Sequence, residues 1–272
     1  MIQSSIKHRS ISLVIPAYNE QRHLKACLEA IKIQTQMPLE VIVVDNNSTD
    51  TTAKIARQYD FVTVVSELKQ GIVYARDTGF NSARGEVIGR IDADTILPSD
   101  WVEYISRFYS DEAHKNMAWT GGCYFYNVRL PHFAGWLLGQ IAYRWNRVLM
   151  GHYILFGSNM AIPNLLWRSI KGQTCKRLDV HEDLDLSIHL HRSGYKITYH
   201  EGLKVGLSMK RVRSNRSQLW PYLSLWPQTL RAHGLKLWIL SWLGAVMLYV
   251  LSPVIAFSEW LARLFGRAPI ED

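Results

Sequence analysis

Cysteine is scarce in this chain of 272 residues. Cys27, Cys123 and Cys175 are far apart and form no Cys-x-x-Cys pair. That spacing argues against a disulfide framework and against a zinc site, and it fits a reducing compartment. Two glycine signatures are also missing. No Gly-x-Gly-x-x-Gly follows an apolar run, and no Gly-x-x-x-x-Gly-Lys-Ser/Thr occurs. A dinucleotide-binding fold and a phosphate-cradling P-loop are both disfavoured. The stretch from Met1 to Ser10 is polar, carries Lys7, His8 and Arg9, and lacks the apolar centre of a signal peptide.

Acidic residues are absent between Glu201 and Glu259, while Lys204, Lys210, Arg211, Arg213, Arg216, Arg231 and Lys236 fall in that gap. The net charge of +8 resides there, because the remaining 24 basic residues face 23 acidic ones. A basic stripe serves nucleic acid or an anionic membrane surface, and the next segment favours the membrane. Leu235 to Phe257 carries one charge, Lys236, with Trp238 and Trp242 near one end and Trp260 past the other. As a helix it is roughly 34 Å long at 1.5 Å per residue, enough for a bilayer core of roughly 30 Å. A span or re-entrant hairpin, an interfacial helix and a buried core helix are the alternatives. Trp220 to Pro227 mixes aromatics with helix breakers, as suits a segment among headgroups. The positive-inside rule then places residues 1 to 230 on the cytoplasmic side. The expected division is an α/β domain over 1–215 and a membrane-associated helical region over 216–272.

The first half alternates short apolar runs with helical periodicity. Ile11–Ile15, stopped by Pro16, Leu39–Val44, Phe61–Val65 and Val87–Ile91 read as strands. Leu24, Cys27, Leu28 and Ile31 repeat at helical spacing, Ser48 or Thr49 is placed to cap a helix through Gln58, and Gly71–Ala83 is helical in pattern. Such a pattern predicts a mostly parallel sheet flanked by helices, with ligands beyond the carboxyl ends of the strands. Those ends gather polar groups: Pro16-Ala17-Tyr18-Asn19-Glu20, Asp45-Asn46-Asn47-Ser48-Thr49-Asp50 and Asp92-Ala93-Asp94. Asp92 and Asp94 are two apart on a strand, so both face one small volume. Two carboxylates that close repel, and a divalent cation relieves them. The N–H groups of Ser48 to Asp50, if they open a helix, favour an anion.

These stretches, with Gly71-Ile72-Val73-Tyr74-Ala75-Arg76-Asp77-Thr78-Gly79, Gly157-Ser158-Asn159 and His181-Glu182-Asp183, follow one order over residues 10 to 200. In that order the chain resembles the family 2 glycosyltransferases, inverting enzymes with the GT-A fold. The resemblance implies a nucleoside-diphosphate-sugar donor with Mg²⁺ or Mn²⁺. Pro16, Tyr18, Glu20 and Asp45 would line the base and ribose pocket, with Arg76 among the nucleotide-sugar residues. Asp92 and Asp94 would address ribose, diphosphate and metal, and Asp183 would be the catalytic base beside Glu182. Asp77 departs from the Arg-Asn more usual in relatives. Processive relatives often carry Gln-x-x-Arg-Trp; this chain has Gln218-Leu219-Trp220-Pro221-Tyr222 instead, which implies one sugar transferred per encounter.

Leaving-group charge in such a transfer is stabilised by a metal on Asp94 with Asp92 beside it. A hydroxyl acceptor needs a base. Glu182-Asp183 opens the helical pattern Leu184, Leu186, Ile188, Leu190, and a helix N-terminus weakens a carboxylate as a base. Burial or a neighbouring acid, Glu182 or Asp185, must offset that. Phe133 to Met150 reads as a core helix, or as a membrane-touching helix whose Arg144 and Arg147 meet a lipid phosphate. His181, His189 and His191 are not expected to bind metal, because the aspartates already suit a hard cation and His189 and His191 lack i,i+4 spacing. The expected acceptor is membrane-borne, a polyprenyl phosphate or lipid-linked saccharide, and no nucleic acid is expected. Two other classes compete. A nucleotidyltransferase would show a glycine-rich loop with Arg and Lys after the first strand, and a non-catalytic membrane-bound module would lack the intact carboxylates.

Overall fold

The computed structural model describes residues 8–126, 136, 139–208 and 216–250. Among the described residues seven strands form one sheet in the order β3-β2-β1-β4-β6-β5-β7. The strands are β1 (Ile11–Ala17), β2 (Glu40–Asp45), β3 (Val62–Ser66), β4 (Val87–Arg90), β5 (Met117–Phe125), β6 (Met160–Pro163) and β7 (Lys196–Leu207). β1 to β4 are parallel; β6 runs antiparallel to β4 and β5, and β7 is parallel to β5. The expected mostly parallel α/β sheet is therefore present, with β6 reversed inside it.

Alternation of side chains sorts the strands between two cores. Leu13, Ile15, Val41 and Val43 face α1 (Leu24–Lys32) and α4 (Trp101–Phe108). Val14, Ile42, Val44 and Ile88 face α3 (Ile72–Ser82) and the helices Asn164–Ile170 and Glu182–Arg192. A Cβ at Gly79 would come within 2.3 Å of Val14 Cγ1, so glycine lets α3 press onto the sheet.

Two local expectations need correction. Pro16 does not end β1, which continues to Ala17. Val14 O accepts from Ile91 N at 3.2 Å, so positions 14 and 16 turn toward β4, whose ladder stops at Arg90. The missing proline N–H thus costs no ladder bond. Ser48 and Thr49 do not cap a helix; α2 is the short Thr52–Ala56 segment. The backbone N–H of Ser48 donates to Asp45 Oδ1, that of Thr49 to Asn19 Oδ1 and that of Thr51 to Gln21 Oε1. Side chains thus already occupy the N–H groups of Ser48 and Thr49, two of the three an anion was expected to use.

Topology decides where the cleft lies. The chain leaves β1 toward β2 and β3, then crosses back to place β4 on the other side of β1. The loops after β1 and β4 diverge there and leave a crevice. Because β6 is antiparallel to β4, with Met160 opposite Arg90, the residues entering β6 reach the same rim.

A third cluster lies outside the sheet. Tyr143, Leu149, Ile154, Leu184 and Ile188 pack with Trp226 and Leu230 of the helix Arg216–Ala232. Residues 140–150 are helical, first with π geometry (Gln140–Trp145) and then α (Asn146–Met150); most of the Phe133–Met150 reading before them lies outside the described residues. Residues 238–250 form a further helix. Among the described residues no helix is long and apolar enough to cross a membrane; the rest of Leu235–Phe257 lies outside them.

Candidate active site

Arg90 organises the cleft. It ends a strand buried on both faces and is itself 2% exposed. A buried guanidinium requires compensating charge, and three carboxylates supply it. Arg90 Nη2 meets Asp92 Oδ1 at 3.1 Å and Glu182 Oε1 at 3.0 Å, while Nη1 bonds Asp183 Oδ1. Asp92 lies two residues beyond the end of β4, and Glu182 and Asp183 come from the first turn of the helix Glu182–Arg192. One planar fork thereby joins two distant parts of the chain.

The Gly157-Ser158-Asn159 segment supports this junction from β6. Gly157 N donates to Asp183 Oδ2 at 2.8 Å, and Ser158 Oγ donates to Asp92 Oδ2 at 2.5 Å. A Cβ at position 157 would lie 2.3 Å from Arg90 Nη1, so the arginine requires glycine there. Asn159 holds the segment down through Trp101 Nε1 at 2.8 Å and the carbonyls of Gly122 and Leu203 at 2.8 and 3.0 Å.

Burial and Arg90 act in opposite senses on the two acids. Burial, with the like charge of Glu182, pushes Asp183 up to about 6 against the pull of Arg90. Burial also works against ionised Glu182, but Arg90, His181 and Arg76 outweigh it and hold Glu182 down. The pair therefore divides into a permanent anion and a carboxyl that titrates near neutrality. Asp185 is not the neighbour that raises Asp183: its carboxylate turns away to Cys175 N at 3.0 Å and His233 Nε2 at 3.0 Å. Helical periodicity turns position 185 about 200° around the helix from 183.

The cleft has a volume of about 590 Å³ and is lined by Pro16, Tyr18, Glu20, Asp92, Asp94, Glu182 and Asp183 together with Arg90. That size suits a small-molecule ligand. Tyr18 stands at the rim, 48% exposed. Asn46 shapes the wall by donating to the carbonyls of Glu67 and Lys69 at 3.0 and 2.8 Å and accepting from Gly71 N at 2.8 Å. The opposite wall is apolar, with Leu219, Leu223 and Trp226 of the helix Arg216–Ala232 and Leu248 of the last helix.

Two expected site residues lie outside the lining. Asp45 sits at the tip of β2 and accepts from Ser48 N at 3.2 Å. Arg76 is wholly buried behind the wall, where it donates to Asp77 Oδ1 at 2.9 and 2.7 Å and to the Glu182 carbonyl at 2.9 Å. The departure at Asp77 thus has a local reason: its carboxylate balances Arg76 and also pairs with Lys176. Arg90 escaped sequence reasoning because it stands within an apolar run. The available signal was a lone charge in a strand predicted to be buried on both faces, two residues before Asp92.

The oxygen-rich donors of the cleft fit a hard cation such as Mg²⁺ or Mn²⁺. Asp94 lines the cleft, and both oxygens of Asp92 already accept from Arg90 and Ser158. His181 Nδ1, buried and without a hydrogen bond, lies 3.7 Å from Glu182 Oε2.

Known proteins resemble this chain in sequence and in fold. A putative glycosyltransferase EpsH of Bacillus subtilis (strain 168) is 33% identical over 107 residues, covering 38% of this chain and 31% of its own. Glycosyltransferase AglE of Haloferax volcanii is 37% identical over 100 residues, covering 34% and 33%. The chain thus spans about a third of the length of these relatives. The Pyrobaculum calidifontis mannosyltransferase PcManGT, solved with GDP-Man and Mn²⁺, superposes with a TM-score of 0.63 at 19% identity, covering 95% of this chain and 79% of that one. TarS 1–349 of S. aureus gives 0.58 at 15% identity, covering 89% and 80%. These two share the fold. Residues 12–161, more than half of the chain, match the family model described as Glycosyl transferase family 2. The chain belongs to glycosyl transferase family 2.

Proposed function

We propose that the protein is an inverting, metal-dependent glycosyltransferase that moves one sugar from a nucleoside-diphosphate sugar to a lipid-linked acceptor at a membrane surface. The observation that carries this reading is the cleft itself. Asp92, Asp94 and Asp183 line one cavity whose other wall is apolar. A polar donor and a lipid-borne acceptor need those two kinds of wall. GDP-Man and Mn²⁺ in the Pyrobaculum structure support a nucleotide sugar and a divalent metal here.

Asp94 would hold the cation with Asp92 beside it, and the ion would neutralise charge gathering on the departing diphosphate. Pro16, Tyr18 and Glu20 line the β1 side of the cleft, where a base and ribose would sit, with Asp45 paired to Ala17 on the adjacent strand. Asp183, held by Arg90 and Gly157 N, takes the proton of an attacking hydroxyl. Each of its oxygens has a lone pair left after these bonds. A phosphate acceptor arrives already ionised, and Asp183 then serves to position it.

Membrane docking is supported by the last helix. Ile239, Leu243 and Val250 are 62%, 63% and 60% exposed, while Ser241 and Ala245 face inward and Gly244 packs on Trp226. An exposed apolar face that follows Arg231 and Lys236 in the chain suits insertion among anionic headgroups. The catalytic residues would then lie on the cytoplasmic side.

The test is sugar transfer from a set of nucleotide sugars to a polyprenyl phosphate in anionic vesicles, with Mg²⁺ or Mn²⁺. Metal-dependent transfer with inversion at the anomeric carbon is expected. Equal rates on a soluble acceptor with and without vesicles would overturn the lipid assignment. Absence of any metal-dependent donor turnover would overturn the enzymatic one.

A further inference from the structure

Behind the cleft, four side chains from three segments converge on one point. Asp185 and His189 stand one turn apart on the helix Glu182–Arg192, at i and i+4. Cys175 comes from the loop between Asn164–Ile170 and that helix, and His233 follows the helix Arg216–Ala232. One donor atom from each lies within 4.8 Å of every other. Asp185 Oδ1 is 3.3 Å from His189 Nε2 and 3.0 Å from His233 Nε2, and Cys175 Sγ is 4.0 Å from His233 Nε2. The cysteine is a free thiol.

Asp185 bonds Cys175 N and His233 Nε2, and Cys175 Sγ meets the same Nε2, but hydrogen bonding leaves one member of the group over. His189 Nε2 is buried and satisfies no hydrogen-bond geometry, although it faces the Asp185 carboxylate. A Cys-His-Asp relay is excluded by geometry. Such a relay binds the acid through one ring nitrogen and the thiol through the other, whereas His233 turns the same Nε2 to both. Donors that share a focus are the mark of a common ligand.

We propose that Cys175, Asp185, His189 and His233 bind one zinc ion tetrahedrally and pin the helix Arg216–Ala232 to the helix that carries Asp183. A tetrahedron with N or O ligands at about 2.0–2.1 Å and sulfur at about 2.3 Å has edges of about 3.3 Å between N and O, and about 3.6 Å between N and S. The observed 3.3, 3.0 and 4.0 Å separations lie around those values. A sulfur, two imidazoles and one carboxylate select zinc over Mg²⁺ or Mn²⁺. Thiolate and carboxylate together cancel the charge of Zn²⁺, so the loaded site is neutral. Side-chain exposure of 1% at Asp185, 6% at His233 and 14% at His189, with Cys175 half-buried at the outer edge, suits a structural site. The ion would hold in place the helix whose Leu219, Leu223 and Trp226 line the cleft.

The test uses the full chain purified without chelator and dialysed against metal-free buffer. Elemental analysis is expected to find about one zinc per chain, as a preformed protein site retains its metal. Cobalt in place of zinc is expected to show tetrahedral absorption and a thiolate-to-cobalt charge-transfer band. Cys175→Ser should lose that band, and His233→Ala should lose the metal. Asp94→Ala should keep it, which separates this site from the cleft. Chelation should lower the melting temperature by several degrees, reversed by Zn²⁺ and not by Mg²⁺. His189→Gln, a milder change, replaces His233→Ala if that variant does not fold. Protein that retains no zinc, and on cobalt titration shows only the aqueous ion, would overturn the proposal. So would undiminished zinc retention in both Cys175→Ser and the histidine variant.

Discussion

Arg90 and Asp183, 93 residues apart in sequence, meet as a buried ion pair at the floor of the cleft. The same guanidinium reaches Asp92 and Glu182, so one side chain fixes the strand end against the helix start.

Replacing Arg90 with leucine leaves three carboxylates in one place with their main counter-charge gone. Removing one partner of a buried pair costs on the order of 3–5 kcal/mol, and a misplaced Asp183 is expected to lower kcat by roughly a hundredfold or more. Arg90→Lys keeps the charge but loses the fork, and should fall between wild type and Arg90→Leu. Urea unfolding and initial rates measure both. Wild-type turnover in Arg90→Leu would show that the ion pair is dispensable.

With a hydroxyl acceptor, activity should follow ionised Asp183. Because burial raises that carboxyl to about 6, kcat/KM should fall as pH drops through about 6, approaching about tenfold per pH unit. The stability effect has the opposite sense. Folded Asp183 keeps its proton to higher pH than an unfolded carboxyl near about 3.9, so its contribution declines as pH rises from there to about 6. Asp183→Asn should gain stability relative to wild type across that window while losing activity. Thermal melts at stepped pH report the first, and rates the second. A pH-independent difference between the two proteins would contradict the raised carboxyl.

Asp94→Ala should lose activity by at least about a hundredfold, the scale of a deleted charge-stabilising group, and should lose its response to Mg²⁺ and Mn²⁺ with it. Titration of each metal against donor turnover is the measurement. Metal-dependent catalysis surviving in this variant would move the cation elsewhere.

Leu243 is 63% exposed on the last helix. If that face enters the headgroup layer, Leu243→Glu forfeits about 1.5–3 kcal/mol of apolar burial, a loss of roughly tenfold or more in partitioning to anionic vesicles. Co-sedimentation measures it. Unchanged partitioning would place the membrane contact on another surface.

Much of the architecture was legible because it follows from period and polarity. The apolar runs of β1 and β2 and the helical spacing of Leu24, Cys27, Leu28 and Ile31 needed no distant partner. What failed depended on neighbours. Pro16 continues β1 because β4 stops two residues earlier, and Ser48 and Thr49 are held by Asp45 and Asn19 instead of capping a helix. The place of Arg76 was likewise not legible: it is buried outside the cleft lining, with its guanidinium on Asp77 and the carbonyl of Glu182.

By itself the sequence determined the rim: polar residues at the ends of apolar strands gather where a parallel sheet opens, since strand direction and side-chain alternation are local properties. Only the tertiary structure decided the charge balance within the cleft and the meeting of Cys175, Asp185, His189 and His233. The first depends on which segments the crossover and the reversed β6 bring together, and the second on where the helix Arg216–Ala232 delivers His233; contacts between segments so far apart leave no local trace in composition or period.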